Sequence, residues 1–327
     1  MQRINAGLMV MLSLGVLAGA SSPVRAEGTV SMSWTTLGTA GGPVIRADRS
    51  QPANLLTTGK DLWLVDCGDG CLERLSAAGG QPARVSAVFI SHLHMDHIGG
   101  LQGLIGVRWM QNAPGVLTIY GPPGIEQVVA GIVQSLEPCT KIGFGEGGAS
   151  PKDTVRVVVL KGGSDIVVNN TRIRTVQNSH FDSEPGQPAD NGTQSLSYRF
   201  DRDGQSIGYT GDTGPSAAVT TLFKGTDLIV SEVIDLSGVV AKIEGPMSTT
   251  PPQFRAGLVA HLKTQHLTPE EAGQMALMAG AKALVLTHLS IIGKTDDLAP
   301  KLKSEAQKVY PGVVMIAHDL DVFQPVQ

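Results

Sequence analysis

The stretch Phe89-Ile90-Ser91-His92-Leu93-His94-Met95-Asp96-His97-Ile98-Gly99-Gly100 decides how this chain reads. Three of the chain's eight histidines and one carboxylate fall within residues 92–97, directly after the mostly apolar run 85–90. That run is rich in β-branched residues and has the length of a buried strand. At its C-terminal end the backbone is still extended, so His92 and His94, two residues apart, point to the same side. Asp96 and His97 follow where Gly99-Gly100 lets the chain turn tightly into a helix. One short segment thus offers imidazoles to one metal ion and a carboxylate with an imidazole to a second. Zinc suits such a mixed nitrogen and oxygen set.

Composition narrows the surroundings of this motif. The chain has 327 residues, of which 42% are hydrophobic and 17% charged, ample for one large α/β core. Aromatic residues make up only 4%, too few for a stacking platform along single-stranded nucleic acid. The net charge is -4 and no lysine or arginine cluster occurs, so no phosphate-tracking surface and no nucleic-acid partner are expected.

Residues 1–26 read as a signal peptide: Arg3 gives a positive start, 8–20 is apolar, and Val24-Arg25-Ala26 resembles a cleavage site. Removing Arg3 and Arg25 takes the net charge from -4 to -6. Residues 27–327 are then a single exported domain, periplasmic or secreted, with no membrane association after cleavage. Cys67, Cys71 and Cys139 lack zinc-ribbon spacing and read as structural, with a Cys67–Cys71 bridge open.

Along the chain, strand-like runs at 62–65, 85–90 and 116–120 alternate with helical spacing at 71–78, 100–111 and 125–136. The middle is β-rich, with hairpin turns expected at Asn169-Asn170 and Asp203-Gly204. Helix and strand then alternate again, with helices expected at 216–223, 269–279 and 298–309. Two mixed halves of this kind suggest two sheets face to face with helices outside.

Three further residues sit where strand-like runs end. His180 follows 171–177, and His288 follows the apolar run 283–287. Asp212 lies in Tyr209-Thr210-Gly211-Asp212-Thr213-Gly214, a context that equally suits a turn or N-cap aspartate. In His266-Leu267-Thr268-Pro269-Glu270-Glu271, Thr268 reads as an N-cap, Pro269 as the first helical residue and Glu271 as a capping-box partner. That accounts for every position except His266.

His-x-His-x-Asp-His at 92–97 resembles the signature of the metallo-β-lactamase superfamily of binuclear metallohydrolases, and the likeness extends over nearly all of the chain after residue 36. The resemblance implies an αββα sandwich of two mixed β-sheets flanked by helices. It implies two zinc ions per chain, with manganese or iron as alternatives. His92, His94 and His180 would hold one, Asp96, His97 and His288 the other, and Asp212 would bridge them. Two cations bring a water's pKa from about 16 toward neutrality, supplying hydroxide at about pH 7. A finer resemblance is to the ribonuclease Z and arylsulfatase-like branch, where a histidine placed like His266 points into the site. Glu232 resembles the acidic residue that orients it, and Asp66 resembles an early aspartate bonded to a ligand histidine. Asp96, His266 and Glu232 are therefore the catalytic candidates, and Asp66 supports a ligand.

Within that branch, the leader and the 31 residues between His180 and Asp212 argue against tRNA processing, since no basic arm fits there. A bridging aspartate argues against a true β-lactamase. The expected activity is metal-dependent hydrolysis of a small ester, foremost of phosphate or sulfate. A lactonase or carboxylesterase is the alternative within enzymes, and a non-hydrolytic metal-binding module the alternative outside them. The segment 234–265 matches no element of the pattern and reads as a lid, a homodimer contact or a surface insertion. N-terminal sequencing of the exported protein is expected to begin at Glu27; recovery of residues 1–26 in a membrane fraction would instead identify an anchor.

Overall fold

Apolar side chains alternate between two destinations along almost every strand, and that alternation sets the layers. The computed structural model describes residues 31–142, 149–182, 187 and 191–326; the expected signal peptide lies outside them. One sheet contains β1 (Met32–Gly38), β2 (Ala53–Thr58), β3 (Asp61–Cys67), β4 (Val85–Phe89), β5 (Leu117–Gly121) and β6 (Val155–Val159) side by side in chain order. The other contains β7 (Asp165–Val168), β8 (Thr171–Gln177), β9 (Leu196–Arg202), β10 (Gln205–Tyr209), β11 (Leu228–Ile234), β12 (Ala283–Ser290) and β13 (Val313–Ile316), also in order. A final strand, β14 (Val322–Phe323), returns to pair with β1. Each sheet is mixed: antiparallel through β3 and through β10, parallel beyond.

Trp63, Val65, Ala87 and Phe89 face Tyr198, Phe200, Val230 and Val285 in the core between the sheets. Their neighbours Leu64 and Val88 face outward. There they meet α1 (Cys71–Ala77), α3 (Leu101–Met110) and α4 (Ile125–Leu136) through Leu75, Leu104 and Val129. On the other flank Ile229, Leu284 and Leu286 meet α5 (Ala217–Leu222), α8 (Pro269–Ala279) and α9 (Thr295–Gln307). This is the αββα sandwich. Phe89 bridges it, stacked on Tyr120 at 4.7 Å and edge-on to Phe200 at 5.4 Å, contacts worth about 0.5–1.5 kcal/mol each beyond the area they bury.

Asn169-Asn170 and Asp203-Gly204 form the turns between β7 and β8 and between β9 and β10, all four with positive φ. Helix α9 starts three residues before the expected position, because Asp296 and Asp297 complement the positive end of the helix. The unplaced segment is helical: α6 (Leu236–Glu244) and α7 (Pro252–Gln265) pack on one another between β11 and α8 in the chain. Only Ile243 and Val259 are buried in them, so they sit on the sandwich without adding a core. Cys67 and Cys71 are buried free thiols.

Two bulges prepare the functional edge. Pairing of β2 with β3 slips between Ala53 and Asn54, leaving Asp66 without a partner residue at φ 57°. Pairing of β11 with β12 slips after Glu232, leaving His288 in the same state at φ 45°. A bulge re-aims one side chain, and a non-glycine residue at such a φ costs about 1–3 kcal/mol. Across the core, Tyr209 Oη donates to Asp66 Oδ2 at 2.7 Å, tying the second sheet to the first bulge. Tyr209→Phe is expected to cost about 1.5–3 kcal/mol, because the lost bond ends on a carboxylate. A lower urea midpoint at unchanged slope checks this.

Candidate metal centre

Seven of the eight histidines gather at one edge of the sandwich, and only His318 lies elsewhere. His92 and His94 occupy the extended segment after β4, and the short helix α2 (Met95–Ile98) carries Asp96 and His97. His180 lies just past β8, Asp212 just past β10, and His288 on the β12 bulge. Gly42, in the loop after β1, passes so near Asp96 that a Cβ there would fall 1.8 Å from Oδ2.

The donor atoms form two sets. His94 Nδ1 lies 3.0 Å from His92 Nε2 and 3.2 Å from His180 Nε2, with Asp212 Oδ2 4.0 Å from the latter two. In the second set Asp96 Oδ2 is 3.5 Å from His97 Nε2 and 3.6 Å from His288 Nε2. Asp212 Oδ1 completes it, 3.3 and 3.2 Å from the same two nitrogens. Four ligands about 2.05 Å from a tetrahedral zinc lie about 3.3 Å from one another, so both sets have metal-sized spacing. His97 Nε2, Asp212 Oδ1 and both ring nitrogens of His288 are buried without a hydrogen-bond partner. Burying such atoms unsatisfied is costly; His97 Nε2 and His288 Nε2, gathered within 3.3 Å of Asp212 Oδ1, fit a cation together with it.

Hydrogen bonds set the ring orientations. Asp66 Oδ2 accepts from His97 Nδ1 at 2.8 Å, and both Asp66 oxygens are also taken by Ser91, Oδ1 by its amide and Oδ2 by its hydroxyl. His180 Nδ1 donates to the Gln265 carbonyl at 3.1 Å, leaving Nε2 its lone pair. Charge differs between the sets. Burial pulls His92 and His94 below the ordinary imidazole range and His180 down to about 3. Burial also opposes charge on His97 and His288, but Asp212 with Asp66 and Asp96 outweighs it, pushing His97 well up and His288 to about 10. Burial would raise the Asp212 carboxyl, yet His288 and His97 hold it well below the usual range.

Glu232 is buried within β11, 1% exposed, and its Oε2 accepts from His266 Nδ1 at 2.8 Å. Its Oε1 accepts from the Thr213 amide, so the same carboxylate steadies the turn carrying Asp212. A His266 ring nitrogen lies within 4.8 Å of donor atoms of His180 and Asp212. Burial lifts Glu232; it opposes charge on His266, which the Glu232 carboxylate nevertheless raises.

Two residues at the site escaped the sequence reading. Phe181 packs its ring 5.2 Å from His94 and 4.8 Å from His180. His261, on α7, stands 5.8 Å from the His180 ring and 5.6 Å from that of His266. Adjacency to His180 was the available signal for the first, and a histidine about one helical turn before His266 for the second.

Residues 63–289 match a family model described as a beta-lactamase superfamily domain. The chain is 31% identical over 257 residues to ribonuclease Z of Mycolicibacterium paratuberculosis, covering 78% of this chain and 84% of that one. It is 30% identical over 293 residues to ribonuclease Z of Mycobacterium bovis, covering 88% and 95%. A metallo-beta-lactamase fold protein of Bacillus subtilis superposes with a TM-score of 0.64 at 22% identity, covering 90% of this chain and 99% of that one. Human tRNase Z, short form, gives 0.62 at 21% identity, covering 90% and 100%.

The charge asymmetry has a measurable sign. His97 and His288, shifted up, carry protons at pH 7 in the ion-free chain; His92, His94 and His180, shifted down, do not. Filling the Asp96 set must therefore expel protons and weaken as pH falls, while filling the His94 set expels none near neutrality. Zinc titration calorimetry in buffers of differing ionisation enthalpy is expected to show one proton-releasing and one proton-silent event, with His288→Ala losing the first. Equal proton release at both sites would refute the assignment.

Proposed function

The chain belongs to the metallo-β-lactamase superfamily as a ribonuclease Z-like member, and from that footing we propose that it is an exported, two-zinc hydrolase of small phosphate or sulfate esters. The observation carrying this reading is the pairing of two donor sets on Asp212 with the His266–Glu232 dyad beside them. His92, His94 and His180 would hold one ion, Asp96, His97 and His288 the other, and Asp212 would contribute to both. Bound there, the ions supply positive charge that acidifies a water and offsets negative charge on the ester's oxygens.

The protein's own groups do the rest. Glu232 fixes His266 with Nδ1 as donor, so Nε2 faces the substrate and steadies or protonates the departing oxygen. Asp96 gives Oδ2 to the second set, and its other carboxylate oxygen is left to take the proton that the attacking water gives up. Asp66 keeps His97 in one tautomer. Exposed Val44, Ile45, Met95 and Ile292 belong to the segments flanking Asp96 and His288, and favour an aryl or alkyl group on the ester.

Likeness to ribonuclease Z supports a second reading, phosphodiester cleavage in RNA. The net charge of -4 and the short span from His180 to Asp212 favour the small ester. Metal-replete protein is to be assayed on bis(p-nitrophenyl) phosphate, p-nitrophenyl sulfate, p-nitrophenyl acetate, a lactone and a precursor tRNA. Turnover of the phosphodiester or sulfate is expected, and His266→Ala should lower kcat about 10²–10⁴-fold at unchanged metal content. Preference for acetate, lactone or precursor tRNA, or no turnover of any of them, defeats the proposal.

A further inference from the structure

Helix α7 brings to the site a histidine that neither the ligand sets nor the His266–Glu232 dyad uses. Its C-terminal end is fixed by several contacts. The Gln265 carbonyl accepts from His180 Nδ1, and Gln265 Nε2 donates to the Asp182 carbonyl at 2.9 Å. Gly214, two residues past Asp212, passes so close that a Cβ there would fall 1.9 Å from the Thr264 carbonyl. His261 lies one turn back on the same helical face as Gln265. The rings of His180 and His266 are almost fully buried, whereas His261 is half-buried and borders solvent beside them. A substrate that reaches His266 from that side passes His261.

We propose that His261 is a second substrate-contacting imidazole, set beside His266 so that the two hold different oxygens of a tetrahedral phosphorus or sulfur centre. This rests on the hydrolase reading above and deepens it to a choice of substrate geometry. A carboxylic ester develops charge on one oxygen, which His266 with the cations can serve. A phosphodiester or sulfate presents two or three non-bridging oxygens, and a further donor rewards only that shape. The ring centroids of the two histidines, 5.6 Å apart, suit two oxygens of one such group.

His261→Phe keeps a ring against His180 and His266 and removes the imidazole N–H. In the metal-loaded protein it is expected to raise KM for bis(p-nitrophenyl) phosphate about tenfold while leaving KM for p-nitrophenyl acetate unchanged, the mark of a lost binding contact. Calorimetric binding of dimethyl phosphate should weaken about as much, at unchanged zinc content. His261→Gln, which retains a donor, should recover part of both losses. If no ester is turned over but dimethyl phosphate binding still depends on residue 261, the contact stands and the hydrolase reading falls. If the diester is turned over with KM and dimethyl phosphate binding indifferent to His261→Phe, or if both esters suffer equally, the contact is refuted.

Discussion

One buried carboxylate serves two neighbourhoods at once. Asp212 Oδ1 faces His97 and His288 at 3.2–3.3 Å, while Oδ2 faces His92 and His180 at 4.0 Å. Without that negative charge the imidazoles would crowd their lone pairs or their protons together in a medium that screens neither. Its position follows from the turn that carries it: Gly211 takes φ 59°, and the Thr213 amide donates to Glu232. Because Glu232 also holds His266, any shift of the turn moves the ligand and the dyad together.

The scaffold meets this demand with fixed hydrogen bonds more than with loops. Asp66 accepts from the Ser91 amide and hydroxyl, from His97 and from Tyr209, so strand β3, the metal motif and the opposite sheet share one anchor. Ser91 directly precedes His92, which extends that anchor to the first ligand set. Packing alone would tolerate a shift of some tenths of an ångström; four bonds to one carboxylate tolerate much less.

Much of this was legible beforehand because the information is local. His92 to His97 sit in a strand, turn and helix that short-range pattern specifies, and His180 and Asp212 follow strand-like runs. The capping box at Thr268 is likewise local, and it forms with both of its bonds. The bulges were not legible, because a slip in pairing belongs to two strands at once: nothing in the run around His288 says that Glu232 pairs with Thr287 and Val233 with Leu289. Nor was α7, since a helix that buries only Val259 carries little apolar stripe to read. His261 was overlooked for the same reason.

The left-handed residue on the β12 bulge carries an evolutionary consequence. His288 holds strained backbone and buries two ring nitrogens without a hydrogen bond, so the sheet tolerates it at a loss, whereas four hydrogen bonds offset the strain at Asp66. Asparagine or glycine would relax the main chain at position 288 while dismantling the site. A laboratory selection for thermal robustness alone should therefore drift first toward a residue that chemistry requires, and yield durable but inert descendants.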